Sequence, residues 1–144
     1  MTNGLNWPVG PWRSTTKGRL AGDRYFSNNN TGVSEIPVGS SVPVSLGRQG
    51  LQRTDGLALD PLNGDLFGGN YGAQNGDAIL VYPPGSTRPL RKLMDSNEAD
   101  SNAFGAVRRT VYFFAPDSYT DEVRVFKNNG DRPAFTLSVS AHSP

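Results

Sequence analysis

Gly56-Leu57-Ala58-Leu59-Asp60-Pro61-Leu62-Asn63-Gly64-Asp65-Leu66-Phe67-Gly68-Gly69-Asn70, followed after a polar loop by Ala78-Ile79-Leu80-Val81-Tyr82-Pro83-Pro84-Gly85, decides the fold. Its short apolar runs are too brief for helices and are bounded by residues that make turns. They predict strands at Gly56–Leu59, Asp65–Gly69, Ala78–Tyr82 and Pro89–Leu93. The connections are turn chemistry: Asn63-Gly64 permits a positive φ, and Pro83 and Pro84 pre-set the backbone for a tight turn. Four short strands joined by tight turns make one antiparallel sheet, the unit of a propeller blade.

The unit recurs. A large apolar residue, a Gly-containing turn and a Pro seven positions on appear as Ile36 to Pro43, Tyr82 to Pro89 and Phe126 to Pro133. The first residues are spaced 82 − 36 = 46 and 126 − 82 = 44. An upstream phrase repeats at Gly22 to Asn28, Gly64 to Asn70 and, more loosely, Arg109 to Ala115; its aromatics Tyr25, Phe67 and Tyr112 are spaced 42 and 45. Two landmarks therefore give one period of roughly 45 residues, the length of a four-stranded blade. The expected fold is all-β, with about three four-stranded antiparallel propeller-like blades forming an incomplete propeller; a β-sandwich or jelly roll is the alternative for any Pro- and Gly-rich meander. Residues 1–22 are expected to form an extended N-terminal arm, 23–138 the repeat domain and 139–144 a tail. Ser14 to Gly18, where the first inner strand is expected, is polar, so the first unit reads as truncated.

The segment Gly56 to Asp60, Asn63 to Phe67 and Ala78 to Gly85 resembles an NHL-type repeat, as found in propellers similar to the NHL and SMP-30/gluconolactonase families. The family pattern is a Gly, a hydrophobic inner strand ending in Asp, a Gly turn, a hydrophobic-aromatic strand, a polar loop and a strand ending in an aromatic. The third unit keeps Val111-Tyr112 and Val123-Arg124-Val125-Phe126, but Asn102 to Val107 lacks the Asp-turn signature. The resemblance implies an acidic, Asn-lined metal site on one face of the ring. Asp55, Asn70 and Asp117 are the nearest matches, calcium would be the ion, and lactone or ester hydrolysis the activity.

The bulk composition narrows the field. A chain of 144 residues suits one domain. Lys plus Arg (14) nearly cancels Asp plus Glu (13), so no net field draws it to nucleic acid or an anionic membrane. Arg88, Arg91, Lys92 and Arg108-Arg109 are interspersed with acids and form no basic stripe, so no nucleic-acid partner is expected. No uncharged apolar run is long enough to span a bilayer, and Met1 to Arg13 does not read as a signal peptide. A soluble protein with no membrane partner is expected. Absence of Cys excludes disulfides, cysteine nucleophiles and Cys-type zinc sites, and leaves the compartment open with an extracellular setting preferred.

Catalytic signals are sparse. The one histidine, His142, lies close to the last residue, so a Ser-His-Asp triad would depend on a tail. One His without Cys makes a poor transition-metal site, and no P-loop or Gly-x-Gly-x-x-Gly spacing occurs. No catalytic residue and no cofactor is assigned, and a non-enzymatic role is preferred. Asp55, Asp77, Asp117 and Asp121 flank strands, although turn positions suit Asp for ordinary reasons. Asn70, Tyr71, Asn75, Asp117 and Tyr119 combine amides, a carboxylate and aromatics, the groups a glycan site uses; the same composition is ordinary for turns. Asn29-Asn30-Thr31 is a formal N-glycosylation sequon. Trp7 and Trp12 lie in a Pro-fixed segment that would dock on a neighbouring protein or fold over its own subunit. Three blades do not close a ring, and bare sheets need partners. The expected function is a structural or interaction module that self-assembles as a homo-oligomer or with another protein; a lectin-like binder and a metal-assisted hydrolase are the alternatives.

Overall fold

A computed structural model describes residues 8–14, 23–28, 32–51, 54–70, 78–93, 103–107, 110–117 and 120–138. Among them are twelve strands and no helix, in three four-stranded sheets. The first holds β1 (Pro8–Ser14), β2 (Arg24–Asn28), β3 (Gly32–Ile36) and β4 (Val44–Ser45). The second holds β5 (Thr54–Leu59), β6 (Leu66–Asn70), β7 (Ala78–Tyr82) and β8 (Arg91–Leu93). The third holds β9 (Ala103–Val107), β10 (Thr110–Asp117), β11 (Glu122–Lys127) and β12 (Phe135–Ser138). Every neighbouring pair is antiparallel and consecutive in sequence. Each sheet is therefore a meander, without the crossovers of a jelly roll. The first strands stand side by side, β1 beside β5 and β5 beside β9, and no sheet closes into a barrel. The arrangement is that of an incomplete propeller.

The repeated phrase makes the same turn three times. Ser40 N donates to Pro37 O (3.0 Å), Ser86 N to Pro83 O (3.0 Å) and Gly130 N to Lys127 O (2.8 Å). In the first two, Gly39 and Gly85 take φ of 77° and 75°, which only glycine adopts without strain. The β5–β6 connection is tied more firmly. Asp60 Oδ1 accepts from Leu62 N, Asn63 bonds to Asp65 through both its amide atoms, and Gly64 sits at φ 80° as the Asn-Gly pair requires.

Packing follows from the pleat, which sends successive side chains to opposite faces. In the middle sheet Leu57, Leu66 and Tyr82 face the first sheet, where they meet Tyr25 and Val33 together with Leu51 of the β4–β5 connection. Their neighbours Ala58, Phe67, Ile79, Val81 and Leu93 face the third, against Phe113, Ala115 and Phe126. The Phe67 and Phe113 rings lie 4.6 Å apart between centroids. A sheet buried on both faces needs apolar residues at nearly every position, which is why Ala78-Ile79-Leu80-Val81-Tyr82 is a continuous apolar run.

Two expectations are corrected. The first unit is not truncated: within the N-terminal segment, Pro8–Ser14 is β1, which pairs with β2 from Pro8↔Asn28 to Ser14↔Arg24, so this unit has four strands and its inner strand ends at Ser14, where the expected one would begin. Pro8 opens the strand, and Pro11 lies in the register irregularity between Val9 and Arg13, the places where a sheet tolerates proline. The third unit's inner strand, β9, lies within the expected Asn102–Val107 segment, and only two residues separate it from β10. The ladder also moves a landmark. Leu66↔Tyr82 and Phe113↔Phe126 are equivalent pairs, so the counterpart of Phe67 is Phe114, two positions beyond Tyr112 on the same face.

Polar contacts grip one sheet to the next. Arg91 on β8 donates to Gly130 O (2.8 Å), Asn128 O (2.6 Å) and Asp131 Oδ1 (2.7 Å) on the β11–β12 turn, with its guanidinium over the Phe67 ring. Between β4 and β5, Gln49 N donates to Thr87 O (2.7 Å), and Gln49 O accepts from the Tyr82 hydroxyl (2.7 Å). Phe67→Ala is expected to cost about 3–5 kcal/mol in urea unfolding, because the cavity opens between two sheets at once. Arg91→Ala should cost about 2 kcal/mol and Asp131→Ala only about 0.5 kcal/mol, since Asp131 is half exposed and the carbonyl bonds carry the grip. Equal losses from the two substitutions would contradict this.

Candidate functional site

The ladders align Asn28, Asn70 and Asp117, each four residues beyond the equivalent positions Arg24, Leu66 and Phe113, at the same end of the three second strands. Two of the residues proposed for a polar site, Asn70 and Asp117, are thus brought to one end of adjacent sheets. Both are buried and engaged within the chain. Asn70 Nδ2 donates to Gly50 O (3.0 Å), pinning the β4–β5 connection to the end of β6. Asp117 Oδ2 lies 3.0 Å from Arg124 Nη1, an ion pair not aligned as a hydrogen bond. Asp117 is thereby compensated by a guanidinium, which weakens its fitness as a cation ligand.

Asp55 lies on β5, but its side chain is outside what is described. Tyr71, Asn75, Asp77, Tyr119 and Trp7 also fall outside the described residues, as do all three positions of the sequon Asn29-Asn30-Thr31. Trp12 is placed on β1 through its backbone alone. Among the described residues no group of three or more His, Asp or Glu could hold a metal ion.

A second polar cluster lies at the first sheet. Asp23 Oδ1 accepts from Val38 N (2.7 Å), and the Arg48 guanidinium lies 5.4 Å from the centre of the Tyr82 ring. Burial pushes the Glu35 carboxyl above the usual carboxylate range, Asp23 adds to the rise and Arg48 opposes it. The Tyr25 phenol is pushed up to about 12, chiefly by burial and then by Glu35 and Asp23.

The open surface is apolar. On the third sheet, Phe114↔Val125↔Phe135 and Pro116↔Val123↔Leu137 are cross-strand rows on the face turned away from the middle sheet. Phe135 is 46% exposed and Leu137 48% exposed, Phe114, Pro116 and Val123 are half-buried, and Val125 between Phe114 and Phe135 is fully buried. Tyr112 meets Phe135 edge-on at the end of this face. By register the equivalent rows on the middle sheet are Phe67↔Val81↔Arg91 and Gly69↔Ile79↔Leu93, in which Phe67, Val81, Ile79 and Leu93 are buried beneath the third sheet and Arg91, the counterpart of Phe135, is half-buried. Sequence reading passed over this surface, although its signal was present: Val111-Tyr112-Phe113-Phe114 places large apolar residues on both faces of one strand.

No protein-family model and no curated protein matches the chain. Solved structures do share its fold. One is Kuenenia stuttgartiensis hydrazine synthase, with 12% identity and a TM-score of 0.67 over 97% of this chain and 38% of that one. Another is a chain of a nidogen/laminin complex, with 12% identity and a TM-score of 0.58 over 81% of this chain and 43% of that one. The chain spans well under half the length of either, and the likeness is one of fold.

A raised carboxyl favours the folded state at low pH. The contribution of Glu35 is fully present below its ordinary value of 4.5 and is lost as pH rises through its higher folded value. As pH is lowered from 7 to 4.5, the melting temperature of Glu35→Gln should therefore change less favourably than that of the parent chain. An equal change in the two chains would show that Glu35 is not desolvated as described.

Proposed function

We propose that the chain is a β-repeat interaction module that associates with copies of itself through sheet faces. The observation that supports this most strongly is the outer face of the third sheet, whose register equivalents on the middle sheet are buried by another sheet. Contiguous exposed apolar surface bounded by polar residues marks a contact site. The energetic reason is simple: each large apolar side chain removed from water is worth about 1.5–3 kcal/mol when fully buried. The Asn70 and Asp117 end is the weaker candidate for function, because both side chains are spent on internal contacts.

In this reading the module's specificity comes from shape and pleat rather than from charge. The polar residues of β12, Thr136 and Ser138, alternate with Phe135 and Leu137, so the strand presents one apolar side. The Trp-containing segment enters the module as its first strand, with Trp12 on β1. Sedimentation velocity should give an average mass rising above the 15.5 kDa of one chain as concentration increases. Phe135→Glu should weaken association at least about tenfold, or about 1.4 kcal/mol. A parent chain that stays single at every concentration, or a substitution without effect on association, would contradict the reading.

A further inference from the structure

Ser27 and Thr54 are fully buried, and among the described residues neither Ser27 Oγ nor Thr54 Oγ1 has a hydrogen-bond partner. A hydroxyl shut away from solvent and left unpaired is costly, so native interiors give such groups a donor or an acceptor. The two side chains come from different sheets. Ser27 on β2 is the cross-strand partner of Val33 and lies two residues from Tyr25, so the pleat turns it toward the middle sheet with both of them. Thr54 opens β5 and is the partner of Asn70, whose Nδ2 donates to Gly50 O on the side of the first sheet. Both hydroxyls therefore enter the layer between the first and middle sheets, where β2 runs beside β5.

They also enter it at one level. Asn28, next to Ser27 in the chain, is the register counterpart of Asn70, which lies across the ladder from Thr54. At the other end of the layer the Tyr82 hydroxyl donates to Gln49 O (2.7 Å). Between the two ends lie the apolar side chains of Val33, Leu51, Leu57 and Leu66. The layer thus has an apolar middle, a direct polar tie at the Tyr82 end and two buried hydroxyls at the Asn70 end.

We propose that one internal water molecule binds between Ser27 Oγ and Thr54 Oγ1 and bridges β2 to β5. The chemistry of the pair selects water over other small ligands. Each hydroxyl both donates and accepts, and neither carries charge. A hard metal cation calls for carboxylate or carbonyl oxygens, and an anion for charged donors. Water matches two neutral hydroxyls in either sense, and buried waters satisfy two to four such groups. A bridging water holds its partners nearly as well as a direct hydrogen bond. The bridge secures the first sheet to the middle one at the Asn70 end, as the Tyr82 hydroxyl does at the other.

Thr54→Val removes the hydroxyl and keeps the branched shape, whereas Thr54→Ser keeps the hydroxyl. Magnetic relaxation dispersion of the water oxygen reads molecules held inside a protein. The parent chain should show long-lived internal water, Thr54→Val should lose the signal of one such molecule, and Thr54→Ser should keep it. In urea, Thr54→Val and Ser27→Ala should each lower the unfolding midpoint, and the double variant should lower it by less than the sum, because both hydroxyls hold one water. A parent chain without long-lived internal water would overturn the proposal whether or not the variants fold. So would an unchanged dispersion amplitude in folded Thr54→Val, or a midpoint that stays or rises in that variant, the result expected of a hydroxyl with no partner. Losses that add in full would overturn the shared water, since each hydroxyl would then hold a partner of its own.

Discussion

A four-stranded antiparallel sheet with large apolar residues on both faces cannot hide them alone, and the rest of this structure depends on that constraint. The middle sheet satisfies it by lying between two others. Leu57, Leu66 and Tyr82 are buried on one side, and Phe67, Ile79, Val81 and Leu93 on the other. Because the pleat alternates strictly, the same strands build both cores. The two cores between the sheets are thereby closed, and the exposed apolar side chains lie on turns, such as Leu62 and Leu90, and on the last strand, at Phe135 and Leu137.

Polar contacts give this stack its order. Arg91 reads the carbonyls of the β11–β12 turn with a planar fork that lysine lacks. Gln49 and Tyr82 perform the corresponding tie between the first and second sheets. Both ties meet the outer turns, so apolar contact supplies the attraction and the turns fix how neighbouring sheets are aligned. The third sheet has Phe135 where the second has Arg91. That substitution changes a specific grip into an apolar contact, and it separates the third sheet's outer face from the interfaces inside the stack.

The period of the fold was legible because turns are local. Pro-Gly and Asn-Gly turns are determined by a few residues, and Ala78–Tyr82 was read with its observed bounds. The first inner strand was harder to read, because β1 was hidden by two prolines, which an edge strand with an irregular register accepts. The third, β9, lies within Asn102–Val107, where it was expected although the Asp-turn signature is missing there. For the site, sequence identified polar residues at one end but not their commitments: that Asn70 is held by Gly50 and Asp117 by Arg124 depends on pairings across the fold. The apolar face escaped notice because Phe114 and Phe135 look like ordinary strand residues until register shows which side each occupies.

Hydroxyl-radical footprinting across a concentration series tests the central claim, that the outer face of the third sheet is a buried contact between copies. Protection should rise with concentration at Phe114, Phe135 and Leu137, while Leu62 and Leu90, exposed on turns elsewhere, keep a constant rate of modification. Equal modification of Phe135 and Leu137 at every concentration would contradict the account.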